Sequence, residues 1–178
     1  DLMRLSRDAY GRELDAFVLT RAIAAFERTL VSGRSRADGG ALTSAEERGK
    51  TLFFSERTSC SQCHGGFLYT NHTFANNGAL ERYTDPGRAR LTNAPEDSAV
   101  FRVPSLRNVA VTAPYMHNGT IGTLREVVDT YDRGGYPHRN KDPRIRPLGL
   151  SDTERADLVA FLESLTDATF LANPAFRP

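Results

Sequence analysis

The stretch CSQCH at residues 60–64 contains the only two cysteines of this 178-residue chain, and a histidine follows them directly. Such a pattern occurs in redox-active dithiols, in structural zinc sites and in covalent haem attachments. A dithiol of the thioredoxin type requires a strand–helix–strand setting, which the surrounding sequence does not show. A structural zinc ion requires four ligands, and the remaining histidines that could complete a tetrahedral site are His72, His117 and His138.

Haem attachment explains the C-x-x-C-H spacing best. Two thiols one helical turn apart can each add to one haem vinyl group, and the adjacent histidine then points at the iron from the same side. We therefore predict that Cys60 and Cys63 hold one haem c covalently and that His64 is an axial iron ligand. Covalent haem c implies export, so we also expect a periplasmic location in a bacterium.

The N-terminal part of the sequence predicts two helices. Apolar residues repeat at steps of three and four between residues 13 and 32, which is the spacing of one helix face, and residues 1–40 are interpreted as a helical lead-in. Ser44 and Glu47 match an S-x-x-E capping box, so a short helix is expected over residues 45–54. The apolar stripe of the first helix consists of Ala16, Leu19, Ile23, Phe26 and Leu30.

Two further helices are predicted in the C-terminal part. Thr123 and Glu126 form a capping box, as do Ser151 and Glu154, so a helix should follow each pair. These helices cover residues 124–132 and 152–166. Their apolar faces consist of Leu124, Val127, Val128 and Tyr131 in the first, and of Leu158, Phe161, Leu162 and Leu165 in the second.

Two long loops separate the predicted helices. From residue 65 to about residue 104 the sequence is rich in glycine, asparagine, aspartate and proline and shows no long periodic segment. A stretch of this length is unusual inside a compact domain unless another group, such as a large buried cofactor, orders it. The second loop carries the basic segment HRNKDPRIR (138–146), which we interpret as solvated rather than as a docking site for an acidic partner.

The composition excludes several functional classes. Hydrophobic residues make up 39% of the chain, which is enough for a globular core. A formal net charge of +1 argues against a nucleic-acid-binding protein. The sequence has no run of about 18 apolar residues, so we expect no membrane-spanning helix.

The second axial ligand determines much of the chemistry of a haem. The candidates in this sequence are Met116, His117, His72 and Tyr131, or no ligand at all. Methionine is the usual ligand of small electron-carrying cytochromes, and Met116 follows His64 by 52 residues (116 − 64), which suits that role. Both Met116 and Tyr131 also match ordinary core residues that fill space beside apolar neighbours.

The phrase PSLRNVAVTAPYMHNG at residues 104–119 carries a more specific signal than the cysteine motif. It lies within FRVPSLRNVAVTAPYMHNGTIGTLREVVDTYDRGG (101–135), which resembles the C-terminal haem domain of the bacterial dihaem cytochrome c peroxidase and MauG family. Four more segments are similar to that family in the same order: AIAAFERTLVSG (22–33), RGKTLFF (48–54), CSQCHGG (60–66) and IRPLGLSDTERADLVAFLESL (145–165). The resemblance implies a mainly α fold, with one cytochrome c-like haem domain over residues 1–178 whose long loops wrap one covalent haem.

The resemblance also implies a set of ligands. In that family the C-terminal haem takes its second ligand from the helix after the PYMHNG phrase, a methionine in ordinary peroxidases and a tyrosine in the MauG type. The matching position is Tyr131, so the resemblance implies His64/Tyr131 ligation and moves Met116 off the iron. It further implies a calcium ion held by backbone carbonyls that match Thr112 and Pro114.

The haem propionates need polar partners. The resemblance places His117 near this haem, where it contacts a propionate. Guanidinium groups pair well with carboxylates, so Arg102 and Arg107 are further candidates for the same role, and a surface salt bridge is the alternative for each arginine.

The chain departs from the family in having one C-x-x-C-H motif where members carry two. The resemblance then implies that a peroxide-reacting haem lies in an N-terminal domain or second chain, so this chain alone lacks the peroxide site of the oxidoreductase. Electrons would pass between that haem and a redox partner or substrate protein. The chain begins without an initiator methionine or a visible signal peptide, which we interpret as processing or division of a larger protein. The alternative function is a mono-haem electron carrier with His64 and Met116 as ligands.

Overall fold

The structure, a computed structural model, describes residues 1–40 and 42–176 of the chain. It divides into two compact units. The first unit contains Asp1–Ser32 and the C-terminal residues from Thr169, and the second contains Gly33–Ala168. The predicted lead-in over residues 1–40 is therefore shared between the units, because its last eight residues (40 − 32) belong to the second.

The first unit is helical. Helix α1 spans Leu2–Tyr10, α2 spans Ala16–Glu27, and a 3₁₀ turn covers Pro174–Phe176. The helix predicted over residues 13–32 is shorter than expected at both ends. Its start is set by Asp15, whose side chain caps it by accepting a hydrogen bond from the Val18 N–H at 2.9 Å. The predicted apolar stripe of α2 stays exposed, with Ile23 at 56% and Phe26 at 50%.

The second unit contains the predicted C-terminal helices and several single-turn helices. Its elements are α3 (Arg36–Gly39), α4 (Ser44–Phe53), α5 (Cys60–Cys63), α6 (Ala89–Thr92), α7 (Leu124–Asp132), α8 (Asp152–Ser164), the 3₁₀ turns Pro95–Asp97 and Val109–Val111, and α9 (Ala168–Leu171), which continues into the first unit. Two short strands, β1 (Phe74–Ala75) and β2 (Phe101–Arg102), pair antiparallel with Phe74 opposite Arg102. The fold is thus mainly α with long loops, as predicted, and this strand pair lies in the loop region where the sequence shows no regular period.

Capping boxes set the starts of α4, α7 and α8. The boxes Thr123–Glu126 and Ser151–Glu154 begin α7 and α8 as predicted. The box of α4 was predicted one residue too late: Thr43 is the N-cap, and its partner is Glu46. Both registers match the same S/T-x-x-E pattern, because Thr43 and Ser44 are adjacent and so are Glu46 and Glu47.

The core of the second unit forms where α4 crosses α8. Gly49 lies at the crossing, and a Cβ added there would come within 1.9 Å of the Asp157 carbonyl oxygen. The close approach lets Phe53 meet Phe161, with ring centroids 5.1 Å apart and both side chains buried. The predicted apolar face of α8 is confirmed, since Leu158, Phe161, Leu162 and Leu165 are all buried. From this end of α4 the chain continues into the cysteine motif.

Among the residues the structure describes, no helix combines the length and apolar character that a membrane crossing requires.

Candidate haem site

A cavity of about 460 Å³ lies within the second unit. This volume is within the range of roughly 300–1,000 Å³ that is usual for cofactor and small-molecule sites. Protein interiors normally pack as densely as organic crystals, so an apolar cavity of this size is typical of a site for a large apolar group. Its apolar wall includes Phe53, Val103, Leu106, Val109, Leu124, Val127, Val128, Leu148, Leu150, Leu158 and Leu162.

The two cysteines of the motif both line this cavity. They form the single turn α5, which ends with the His64 N–H bonded to the Cys60 carbonyl at 2.8 Å. The turn therefore places the two thiols on one side of the chain, as covalent attachment to one ring requires. Burial raises the pKa of both thiols, and the nearby Arg144 partly opposes this shift at Cys63.

His64 lines the same cavity, and its ring orientation is fixed. Its Nδ1 lies 3.1 Å from the Tyr69 carbonyl oxygen. Because a carbonyl can only accept, Nδ1 carries the proton and Nε2 keeps its lone pair for a metal. Burial lowers the pKa of His64, which favours the neutral imidazole that binds iron.

Tyr131 reaches the cavity from α7, as the predicted apolar face of that helix required. All four predicted residues of that face line the cavity: Leu124, Val127, Val128 and Tyr131. The Tyr131 hydroxyl oxygen accepts a hydrogen bond from the Asn77 side-chain amide at 3.0 Å. Burial raises the pKa of Tyr131 to about 12, and the Asn77 donor acts in the opposite direction.

Met116, the other ligand candidate, also lines the cavity. Its sulfur accepts a hydrogen bond from the same Asn77 amide nitrogen, at 3.4 Å. The backbone of Met116 is in the left-handed region, with φ at 69°, which is unusual for a side chain of this size. The cavity thus brings Met116 and Tyr131 together, two of the four sequence-predicted candidates for the second axial position.

The two histidine candidates for the second axial position differ in their location relative to the cavity. His117 lines the cavity and stacks on Phe101, with ring centroids 3.8 Å apart. His72 lies outside the lining and accepts a hydrogen bond from the Arg102 guanidinium at 2.9 Å. Within the described ranges, no group of three or more His, Cys, Asp or Glu side chains is arranged to hold a metal ion.

Two predictions about basic residues can be compared with the structure. Of the two alternatives for Arg107, the structure shows the salt bridge: Arg107 lies outside the cavity lining, and its guanidinium bonds the Asp38 carboxylate at 2.5 Å and the Phe67 carbonyl at 2.7 Å. The loop read as solvated instead contributes Asp142 and Arg144 to the cavity wall. The Asp142 carboxylate accepts from Arg144 Nε at 2.8 Å and from Nη2 at 2.5 Å, so the pair is bidentate.

Thr112 and Pro114, the residues predicted to offer carbonyls to calcium, both lie at the cavity. Arg102 is also part of its lining.

The sequence analysis did not identify Asn77 as a residue of the site. The signal available for it is the short run Asn-Asn-Gly, whose composition is typical of a turn.

The fold and the cysteine–histidine turn together define a cytochrome c domain. The family model for cytochrome c matches residues 46–166 of the chain, which include the whole cavity wall. The chain therefore belongs to the cytochrome c family, and haem c is the cofactor that this family and the donor set indicate.

The relatives are more specific than the family model. The chain is 36% identical to the methylamine utilization protein MauG of Methylorubrum extorquens over 90% of its own length and 48% of the relative. It is 35% identical to the cytochrome-c peroxidase IdrP1 of a Pseudomonas species, over 82% of its own length and 48% of the relative. The chain thus spans about half the length of these curated relatives. The predicted resemblance to dihaem peroxidases and MauG is confirmed.

Solved structures agree with these relatives. A MauG-like protein associated with microbial copper homeostasis superposes with a TM-score of 0.87 at 33% identity, covering 98% of this chain and 60% of that one. The diheme peroxidase BthA of Burkholderia thailandensis gives a TM-score of 0.58 at 27% identity, covering 73% of this chain and 44% of that one. The cytochrome c-like fold predicted from the sequence is confirmed.

Proposed function

We propose that this chain is the electron-transferring haem c domain of a dihaem peroxidase or MauG-like oxidoreductase. One haem is attached through Cys60 and Cys63, and His64 and Tyr131 are its axial ligands. The single observation that carries the proposal is that these four side chains line one apolar cavity of cofactor size. The identity to relatives of this enzyme class supports the assignment.

The residues of the chain have separable tasks in this proposal. When bound, haem c supplies one-electron chemistry at its iron. The Tyr69 carbonyl holds His64 in the tautomer that offers Nε2. On binding the haem iron, the Tyr131 hydroxyl would lose its proton, and the resulting anionic oxygen would favour the oxidised state more than the neutral thioether of Met116 does. His64 and Tyr131 together would hold the haem iron and leave no position for peroxide, so the role of this domain would be to pass electrons.

In the proposed electron transfer, the domain exchanges electrons with two partners. We place a peroxide-reacting haem in an N-terminal domain or a second chain, and a redox partner or substrate protein on the other side. The relatives, which are about twice as long as the matched region, support a second domain. We also propose a periplasmic location, since covalent haem c is assembled on exported proteins.

Calcium and the propionates complete the proposal. We propose a calcium ion near the carbonyls of Thr112 and Pro114, because calcium prefers oxygen ligands. For the propionates we propose His117 and Arg102, which line the cavity, in place of Arg107. Calcium removal by a chelator, followed by metal analysis of the haem-loaded chain, measures its occupancy.

The test of the ligand assignment is a comparison of haem-loaded wild type with Tyr131→Phe. The mass of the denatured chain establishes covalent haem first, and Cys60→Ala with Cys63→Ala should abolish it. We then expect the ferric spectrum of the wild type to be low-spin and to lose that signature in Tyr131→Phe. A low-spin spectrum that survives the substitution unchanged would show that Tyr131 is not the ligand.

A second candidate function is a mono-haem electron carrier with His64/Met116 ligation. The observation that favours it is the position of the Met116 sulfur, which lies at the cavity and shares the Asn77 donor with Tyr131. This alternative predicts a positive reduction potential and a methionine-to-iron charge-transfer band that disappears in Met116→Leu. A strongly negative potential in the wild-type chain would count against it.

A further inference from the structure

Asn77 lies where the two candidate ligands meet. Its amide nitrogen donates to the Tyr131 hydroxyl oxygen at 3.0 Å and to the Met116 sulfur at 3.4 Å. An amide nitrogen carries two hydrogens, so both bonds can exist together. Asn77 itself lines the cavity, and it is 54 positions from Tyr131 in sequence.

The orientation of this amide is fixed by the chain around it. The Asn77 side-chain oxygen accepts a hydrogen bond from the Ala79 N–H at 3.1 Å, so the nitrogen must face the ligands. The preceding residue, Asn76, is fully buried and donates to the Ala99 carbonyl at 2.7 Å. The Asn76 side chain also accepts from the Gly78 N–H at 2.8 Å. The donor is therefore held by bonds on both sides of Asn77.

The segment that carries Asn77 is docked directly on the chain that leaves α7. The Tyr136 N–H donates to the Gly78 carbonyl at 2.7 Å. Two glycines allow this approach: a Cβ at Gly135 would lie 2.7 Å from the Asn77 carbonyl oxygen, and one at Gly78 would lie 2.7 Å from the Tyr136 carbonyl oxygen. Backbone contacts thus set the distance between the donor and the helix that presents Tyr131.

We infer that Asn77 is a positioning residue that sets the electron donation of the Tyr131 oxygen toward the iron. The inference rests on the proposed His64/Tyr131 ligation. A hydrogen bond to a phenolate oxygen withdraws electron density from it, and this weakens its donation to a bound metal. Hydrogen-bond donors near ligand atoms are an established means of raising a reduction potential. Asn77 therefore keeps this haem easier to reduce than an unassisted tyrosinate would.

The test uses two substitutions at Asn77 in the haem-loaded chain. Asn77→Ser keeps an oxygen that can accept from the Ala79 N–H, because serine forms the same kind of turn, but its short side chain does not reach Tyr131. Asn77→Leu preserves the approximate size and removes both the donor and the acceptor. Asn118→Ser is the matched control: Asn118 makes a similar turn, accepting from the Thr120 N–H at 3.3 Å, and is exposed outside the cavity lining.

We expect the tyrosinate-to-iron charge-transfer band to move to longer wavelength in both Asn77 variants, and the midpoint potential to become more negative. Asn118→Ser should match the wild type in both quantities. If the band and the potential stay at wild-type values in Asn77→Ser with covalent haem retained, the inference is wrong. A shift in Asn77→Leu alone would also overturn it, since the local turn and not the donor would then be responsible.

If the proposed His64/Tyr131 ligation is wrong, the spectra give a different result. In that case the wild-type chain has no charge-transfer band that Tyr131→Phe removes, before any substitution at Asn77 is made. When Tyr131→Phe does remove the band, the ligation holds, and the Asn77 variants then test the positioning role alone.

Discussion

Gly49→Ala should destabilise the second unit strongly, because the crossing of α4 and α8 has no room for a side chain. The added Cβ would lie 1.9 Å from the Asp157 carbonyl oxygen and 2.9 Å from the Phe161 Cβ. Ordinary contacts begin near 3.4 Å, so the helices must separate by about 1.5 Å (3.4 − 1.9). Overpacking of a core usually costs about 1–3 kcal/mol. Because both contacts are with backbone or Cβ atoms, we expect a loss of about 3 kcal/mol in the free energy of unfolding.

The measurement is thermal unfolding of the haem-loaded chain, followed by far-ultraviolet circular dichroism. A loss of about 3 kcal/mol corresponds to a fall in Tm of roughly 6–12 °C for a chain of this size. Gly39→Ala is the matched control, since a Cβ at Gly39 meets no atom within 4 Å, and its Tm should stay near the wild-type value. Equal Tm values for Gly49→Ala and the wild type would refute the packing argument for this crossing.

Two further predictions concern the carboxylates of Asp38 and Asp167. Asp38→Asn should lower the free energy of unfolding by about 2 kcal/mol at pH 7, since the buried Arg107 loses a charged partner. The bond from Arg107 holds the pKa of Asp38 below its ordinary value, so this stability is present above that value and is lost as the pH falls through the folded pKa. Denaturant titrations should therefore show the two proteins converging in acid, and a constant difference would contradict the linkage. Asp167→Ala should cost about 3 kcal/mol in the same assay, because the Gly33 and Arg34 N–H groups lose their acceptor at 3.0 and 2.9 Å. Asp167→Asn keeps an acceptor oxygen and should lose less than half as much; equal losses would show that the charge, not the acceptor, matters.

Local signals predicted the helices that carry the site. The bounds of α7 were predicted to the residue, since its capping box and its three- and four-residue apolar spacing are both short-range. The same local rule misplaced the start of α4 by one residue, because two overlapping capping boxes fit the sequence equally well. Glu46 is selected by a contact outside the helix, an ion pair with Arg36, which local spacing does not record.

The parts of the site that the sequence did not predict depend on contacts between distant residues. Asn77 meets Met116 across 39 positions and Tyr131 across 54, so no motif joins them. The charge of Arg107 predicted either a propionate contact or a salt bridge, and the partner in the observed salt bridge, Asp38, is 69 positions away. The polar composition of the basic segment 138–146 predicted a solvated loop. Only the fold shows that Arg144 lines the cavity.

Because the Gly78 backbone contacts the Tyr136 backbone, the spacing of this wall of the haem site and the redox properties of the haem depend on different atoms. The spacing of the wall here depends on main-chain atoms and two glycines and not on the side chain at Tyr131 or Met116. Either of these side chains can be exchanged while the main chain keeps its place. Related proteins with this backbone can therefore differ in reduction potential through one or two substitutions, with no change of fold.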